Sequence, residues 1–75
     1  MPRMPRISSR EAIRALERLG FEQVRQTGSH VVMQKETKEG EIGCVVPLHR
    51  ELKVGTLSGI LKQAQVTIEE LIESL

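Results

Sequence analysis

The chain has 75 residues, of which 28% are charged and 39% hydrophobic, with a formal net charge of +1 and Phe21 as its one aromatic. A chain this short has room for one compact domain, which hides only about 60% of the surface its unfolded form exposes. No apolar run approaches the roughly 20 residues that span a bilayer, and the Met-Pro-Arg-Met-Pro-Arg start lacks the apolar centre of a signal peptide. A cytoplasmic protein with no membrane contact is therefore expected, with a flexible tail over residues 1–6 and a single domain over residues 7–75. Cys44 has no partner for an internal disulfide and lies in the apolar run Ile42 to Val46, the setting of a buried, inert thiol.

Ser8 and Glu11 have the spacing of a capping box, in which hydroxyl and carboxylate each satisfy a free amide at a helix start. The apolar stripe Ala12, Ile13, Ala15, Leu16 and Leu19 continues from it at helical spacing, and Gly20 supplies a left-handed stop. A helix over Ser9 to Leu19 is predicted. Three segments rich in Val and Ile follow, at Phe21 to Gln26, His30 to Lys35 and Glu41 to Val46, separated by turns at 27–29 and 36–40. They read as an antiparallel meander. Alternation along the second strand puts Val31 and Met33 on one face and His30, Val32 and Gln34 on the other.

Pro47 closes the third strand, and residues 48–55 connect it to a second helix that Thr56 is placed to cap, with Leu57, Ile60, Leu61 and Ala64 as its apolar side. A further capping box, Thr67 with Glu70, introduces a terminal turn bearing Ile68, Leu71, Ile72 and Leu75, which either prolongs the second helix or packs separately. The predicted fold is α+β: helix, three-stranded antiparallel sheet, helix and a short C-terminal helix. Setting both main helices on one face of the sheet buries the stripes in one core, the arrangement of a double-stranded RNA-binding domain.

The charges are unevenly placed. All eleven Lys and Arg lie within residues 1–62 against seven Glu, while residues 63–75 carry only Glu69, Glu70 and Glu73. A basic body suits a polyanion, though charge of this size is also common on solvated surfaces. The chain has no Asp, so a two-metal nuclease would have to be built from Glu alone; His30, Cys44 and His49 have no zinc-site spacing, and no phosphate-binding glycine loop is present. Neither metal nor cofactor is expected.

Two histidines remain as acid or base candidates, since an unperturbed imidazole titrates near pH 6.5. His30 stands at a turn-to-strand junction, where sheet hydrogen bonds would hold it, and Gly28 and Ser29 before it would let a phosphate approach backbone amides. Residue types and spacing leave His30 open between an ordinary surface histidine and a catalytic base. His49 is open between satisfying its loop, contacting RNA and donating a proton. With Phe21 assigned to the core, base stacking is disfavoured, and phosphate contacts fall to basic residues near the sheet such as Arg25, Lys35, Arg50 and Lys53.

A family resemblance rests on Gly20-Phe21, Arg25-Gln26, Gly28-Ser29-His30, Val46-Pro47-Leu48-His49, Gly55-Thr56-Leu57 and Ile60-Leu61-Lys62-Gln63-Ala64, which follow one another in order. On these motifs the chain resembles the HicA (YcfA-like) toxins over nearly its whole length. It departs at Ser58, where a basic residue is expected. The resemblance implies an mRNA interferase of a type II toxin–antitoxin pair that cleaves RNA without a metal, His30 as the essential catalytic group, and a HicB-type antitoxin covering the RNA-facing surface. Gly28, Ser29, Lys35 and His49 are the RNA-contact candidates. A non-catalytic RNA-binding module of the same fold is the alternative, and a regulatory protein that binds only another protein is a second.

Overall fold

The computed structural model describes residues 3–75, in the order α1 (Ser9–Arg18), β1 (Glu22–Thr27), β2 (His30–Thr37), β3 (Gly40–Pro47), α2 (Val54–Ala64) and α3 (Ile68–Ser74). This is the α+β arrangement of a double-stranded RNA-binding domain. The strands form one antiparallel sheet with β2 in the centre. Val31, Met33, Cys44 and Val46 face inward and are at most 2% exposed, and they share one core with Ala12, Leu16, Phe21, Leu57, Ile60 and Leu71 from beyond the sheet. Both main helices thus cover one face. The other face, with His30, Val45 and Glu41, is open.

Each end of α1 is made by the sequence around it. Ser8 Oγ accepts from the Glu11 amide at 3.1 Å, and the Ser8 amide donates to Glu11 Oε1 at 3.0 Å, so the expected capping box is closed. At the far end Gly20, at φ +100°, lets its amide reach the Glu17 carbonyl and the Phe21 amide reach that of Leu16, both at 3.0 Å. That pair of bonds is a Schellman stop, and it turns Phe21 into the core beside Leu16.

The strands run longer than the sequence suggests, because Thr27 pairs with His30 and Thr37 with Gly40. Each hairpin turn is therefore reduced to two residues, Gly28-Ser29 and Lys38-Glu39. Pro47, expected to end β3, is its last paired residue, opposite His30. An edge strand tolerates it because the missing amide would have pointed away from the sheet. Both edges are irregular or covered: the β1 register slips between Gln23 and Arg25, and Gln63 of α2 accepts the outward Val45 amide of β3 at 3.2 Å.

The start of α2 differs from expectation. The helix begins at Val54, and Thr56 lies inside its first turn instead of capping it; Lys53 is the N-cap and makes no side-chain cap bond. The reason is upstream. Leu52 is buried, and its amide donates to the Ile7 carbonyl at 2.8 Å, which fixes the chain so that the Lys53 carbonyl already accepts from Leu57 at 2.9 Å. Gln65, at φ +57°, then breaks the chain between α2 and α3, so the terminal turn packs separately. Its Thr67–Glu70 capping box is closed as predicted, and α3 lies against α1, with Leu71 buried and Arg18 Nη1 donating to the Ser74 carbonyl at 2.6 Å.

Cys44 is buried, and burial pushes its thiol up to about 11, the behaviour of an inert core group. Of the expected N-terminal tail, Met1 and Pro2 lie outside the described residues; residues 3–6 form no helix or strand, and Met4 packs against the core. No helix among the described residues is long and apolar enough to cross a membrane.

Candidate functional site

His30 opens β2 directly after the Gly28-Ser29 turn. Gly28 holds φ +51° and Ser29 does not share the positive sign, the combination of a type II′ hairpin in which the first turn residue is normally glycine. The turn places His30 on the open face, where its side chain is exposed, as the alternation of β2 predicts. Ser29 Oγ lies 3.2 Å from His30 Nδ1, close enough to hold the ring from its δ side. Which of the two donates is set by the tautomer.

Opposite His30 the chain leaves β3 through Pro47. The Leu48 amide then donates to the Ser29 carbonyl at 2.7 Å, tying the segment that carries His49 to the turn that carries His30. Ser9, at the start of α1, holds that segment from behind. Its hydroxyl accepts from the His49 amide at 2.6 Å, donates to the Pro47 carbonyl and lies 3.1 Å from the His49 carbonyl, which also accepts the Ser9 amide at 3.1 Å. Ser9 is the one buried polar side chain among the described residues. The His49 backbone is thus fixed while its side chain stays exposed beside Ser8, Arg10 and Arg50.

The site residues read from the sequence fall into two groups. Gly28, Ser29, His30 and His49 come together at one end of the sheet. Lys35 does not join them: it is five residues along β2, about 16 Å away at the rise of a strand, and on the opposite face. There its aliphatic stem lies over Gly20 and its ammonium 5.8 Å from the centre of the Phe21 ring. Ser9 had no sign in the sequence apart from its place after the capping serine. Arg10 and Arg14 of α1 line a hollow beside this end of the sheet together with Gln23 and Gln26 of β1.

Among the described residues no three His, Cys or acidic side chains cluster as metal ligands would. The site is instead an exposed imidazole at a strand start, backed by a hydroxyl, with a second imidazole on a clamped loop that is tied through its backbone to the same turn and is bordered by Arg10 and Arg50.

A small α+β domain of the double-stranded RNA-binding type, with a histidine at its first hairpin, defines the class. The family model described as the HicA toxin of bacterial toxin–antitoxin matches residues 9–66, and the chain belongs to that family. It is a toxin of a toxin–antitoxin system and has an antitoxin as partner. No curated protein matches the sequence.

Proposed function

We propose that this toxin is a metal-independent endoribonuclease, an mRNA interferase, in which His30 is the general base. The observation that carries the reading is the exposed His30 ring at the rigid start of β2, with Ser29 Oγ at 3.2 Å from Nδ1, in a chain of the HicA family. When His30 Nδ1 donates to Ser29, Nε2 is left with a lone pair facing solvent, the form a base requires. Nε2 takes the proton of a ribose 2′-hydroxyl, O2′ attacks the adjacent phosphorus, and the bond to the 5′ oxygen breaks. The products are a 2′,3′-cyclic phosphate and a 5′-hydroxyl, whose proton comes from His49 or from water.

Charge that builds on the phosphate is met by amides of the Gly28-Ser29 turn. The donor set supports reading the chemistry as metal-independent: the chain has no Asp, and among the described residues no three His, Cys or Glu side chains cluster. The RNA is met in the cytoplasm, and the partner is a HicB-type antitoxin that covers the surface around His30.

Purified protein incubated with RNA and excess chelator tests this directly. The wild type should cut, and folded His30→Ala should cut about 10²- to 10⁴-fold more slowly, the usual worth of a general base. A wild type that binds RNA and leaves it intact would establish the non-catalytic module instead.

A further inference from the structure

Two hollows at the His30 end of the molecule share Arg10 and Leu48 as walls, so they form one trough along the start of α1. One half is bordered by His49 and Arg50, the other by Arg14 and Gln26. Ile13, Val31 and Leu48 supply apolar surface between these polar and cationic side chains. The basic stretch has a definite end, where Glu17 accepts from the Gln23 side chain at 3.5 Å. Arg10 and Arg14 are four residues apart on a helix, so their stems leave the same face about 6 Å apart along the axis. Two guanidinium groups set this far apart suit adjacent phosphates of one strand, and the glutamines add amide donors without charge.

We infer that this trough, with Arg10, Arg14 and Arg50 as its cations, is the track along which the phosphate backbone of a single RNA strand approaches the site. The inference rests on reading His30 as the RNA-cleaving group and adds where the rest of the strand lies. The trough is on the helix side of the sheet and His30 on the open face, with the Gly28-Ser29 turn as the sill between them. A Cβ at Gly28 would meet nothing within 4 Å, so the strand passes over that sill unobstructed. Leu48, the wall shared by both halves, is tied to that turn by the bond from its amide to the Ser29 carbonyl. Phe21 is buried, so the strand is held by its phosphates and not by stacked bases.

The test compares two variants with the same change of net charge, Arg10→Gln/Arg14→Gln in the trough and Lys38→Gln/Lys62→Gln on the far turn and the last turn of α2. Each is titrated with a short single-stranded RNA, uniformly 2′-O-methylated so that it cannot be cut through O2′, over a range of KCl concentrations. Every cation that no longer neutralises a phosphate should reduce the slope of log affinity against log salt by about 0.7, so the trough variant should bind more weakly and with a slope smaller by about 1.4. The control pair should keep the slope of the wild type. On unmodified RNA the trough variant should show a raised KM with kcat retained.

Equal effects from the two pairs, no effect from the trough pair, or a wild type that fails to bind at low salt would each overturn the track. A wild type that binds through the trough but leaves unmodified RNA uncut would overturn the endoribonuclease reading and leave the track standing.

Discussion

Ser9 is the residue on which the two halves of the site depend, because it joins the start of α1 to the loop after β3. Replacing it by alanine leaves the Pro47 and His49 backbone groups without their hydroxyl partner in a part-buried place, and such a loss costs roughly 1–3 kcal/mol. Ser9→Ala should show that loss in urea unfolding, together with faster exchange of the His49 amide. Unchanged exchange at His49 would mean that the clamp is not needed to order the loop. Gly28 makes a separate demand. At φ +51° an alanine would be strained by roughly 1–2 kcal/mol although space is free around it, and Gly28→Ala should lower the unfolding midpoint accordingly. At this scale the sequence was readable where the rule is local. Two-residue alternation fixes the side of the sheet on which His30 lies, and a glycine before a strand marks a turn. Ser9 was not readable, since its partners lie forty residues away and a serine after a cap looks like any other first-turn residue.

Among the elements, α1 and α3 carry their own start signals, and both were legible as Ser-x-x-Glu and Thr-x-x-Glu. The beginning of α2 was not, because it is set by the burial of Leu52 and by a bond to Ile7, neither of which a cap motif records. Thr67→Ala should weaken α3 by about 1 kcal/mol, the ordinary loss of an N-cap. The same box has a pH dependence. The Glu70 carboxyl is held below its ordinary value of 4.5, first by its bond with the Thr67 backbone amide, next by the Thr67 side chain, with a smaller contribution from Lys35. A carboxyl with a lowered folded value contributes its stabilisation above the ordinary value and loses it as pH falls through the folded one. The difference between wild type and Glu70→Gln should therefore be full at neutral pH and shrink below pH 4.5, which thermal melts over an acid series would show. The junction of α2 and α3 offers the opposite experiment. Gln65 sits at φ +57° without being glycine, so Gln65→Gly should relieve strain and raise stability by up to about 1 kcal/mol; a lower melting temperature would mean that the side chain has contacts worth more than the strain.

For the molecule as a whole, the order of elements and the inward residues followed from periodicity, since one sheet face and two helical stripes have only one economical way to meet. The placement of α3 did not follow. Whether it would prolong α2 or turn back depended on a left-handed residue that the sequence does not advertise. That turn brings Leu71 onto α1, where it is fully buried, and in a domain with so small a core Leu71→Ala should remove roughly 2–5 kcal/mol, enough to leave much of the protein unfolded at physiological temperature. The functional end was half legible. Its histidines stand in motifs, whereas the arginines of α1 show their position beside the hairpin only once the helix is laid on the sheet.

The two edges of that sheet bear on a different matter. An unpaired strand edge is a template for adding further strands, and a small protein with a thin core exposes such templates readily. Here β1 is kinked by its register slip, and β3 has one outward amide occupied by Gln63 and, at Pro47, none to offer. Edge-to-edge addition of further strands is therefore hindered at the kink of β1 and along β3 from Val45 to Pro47, which favours separate molecules over a growing sheet.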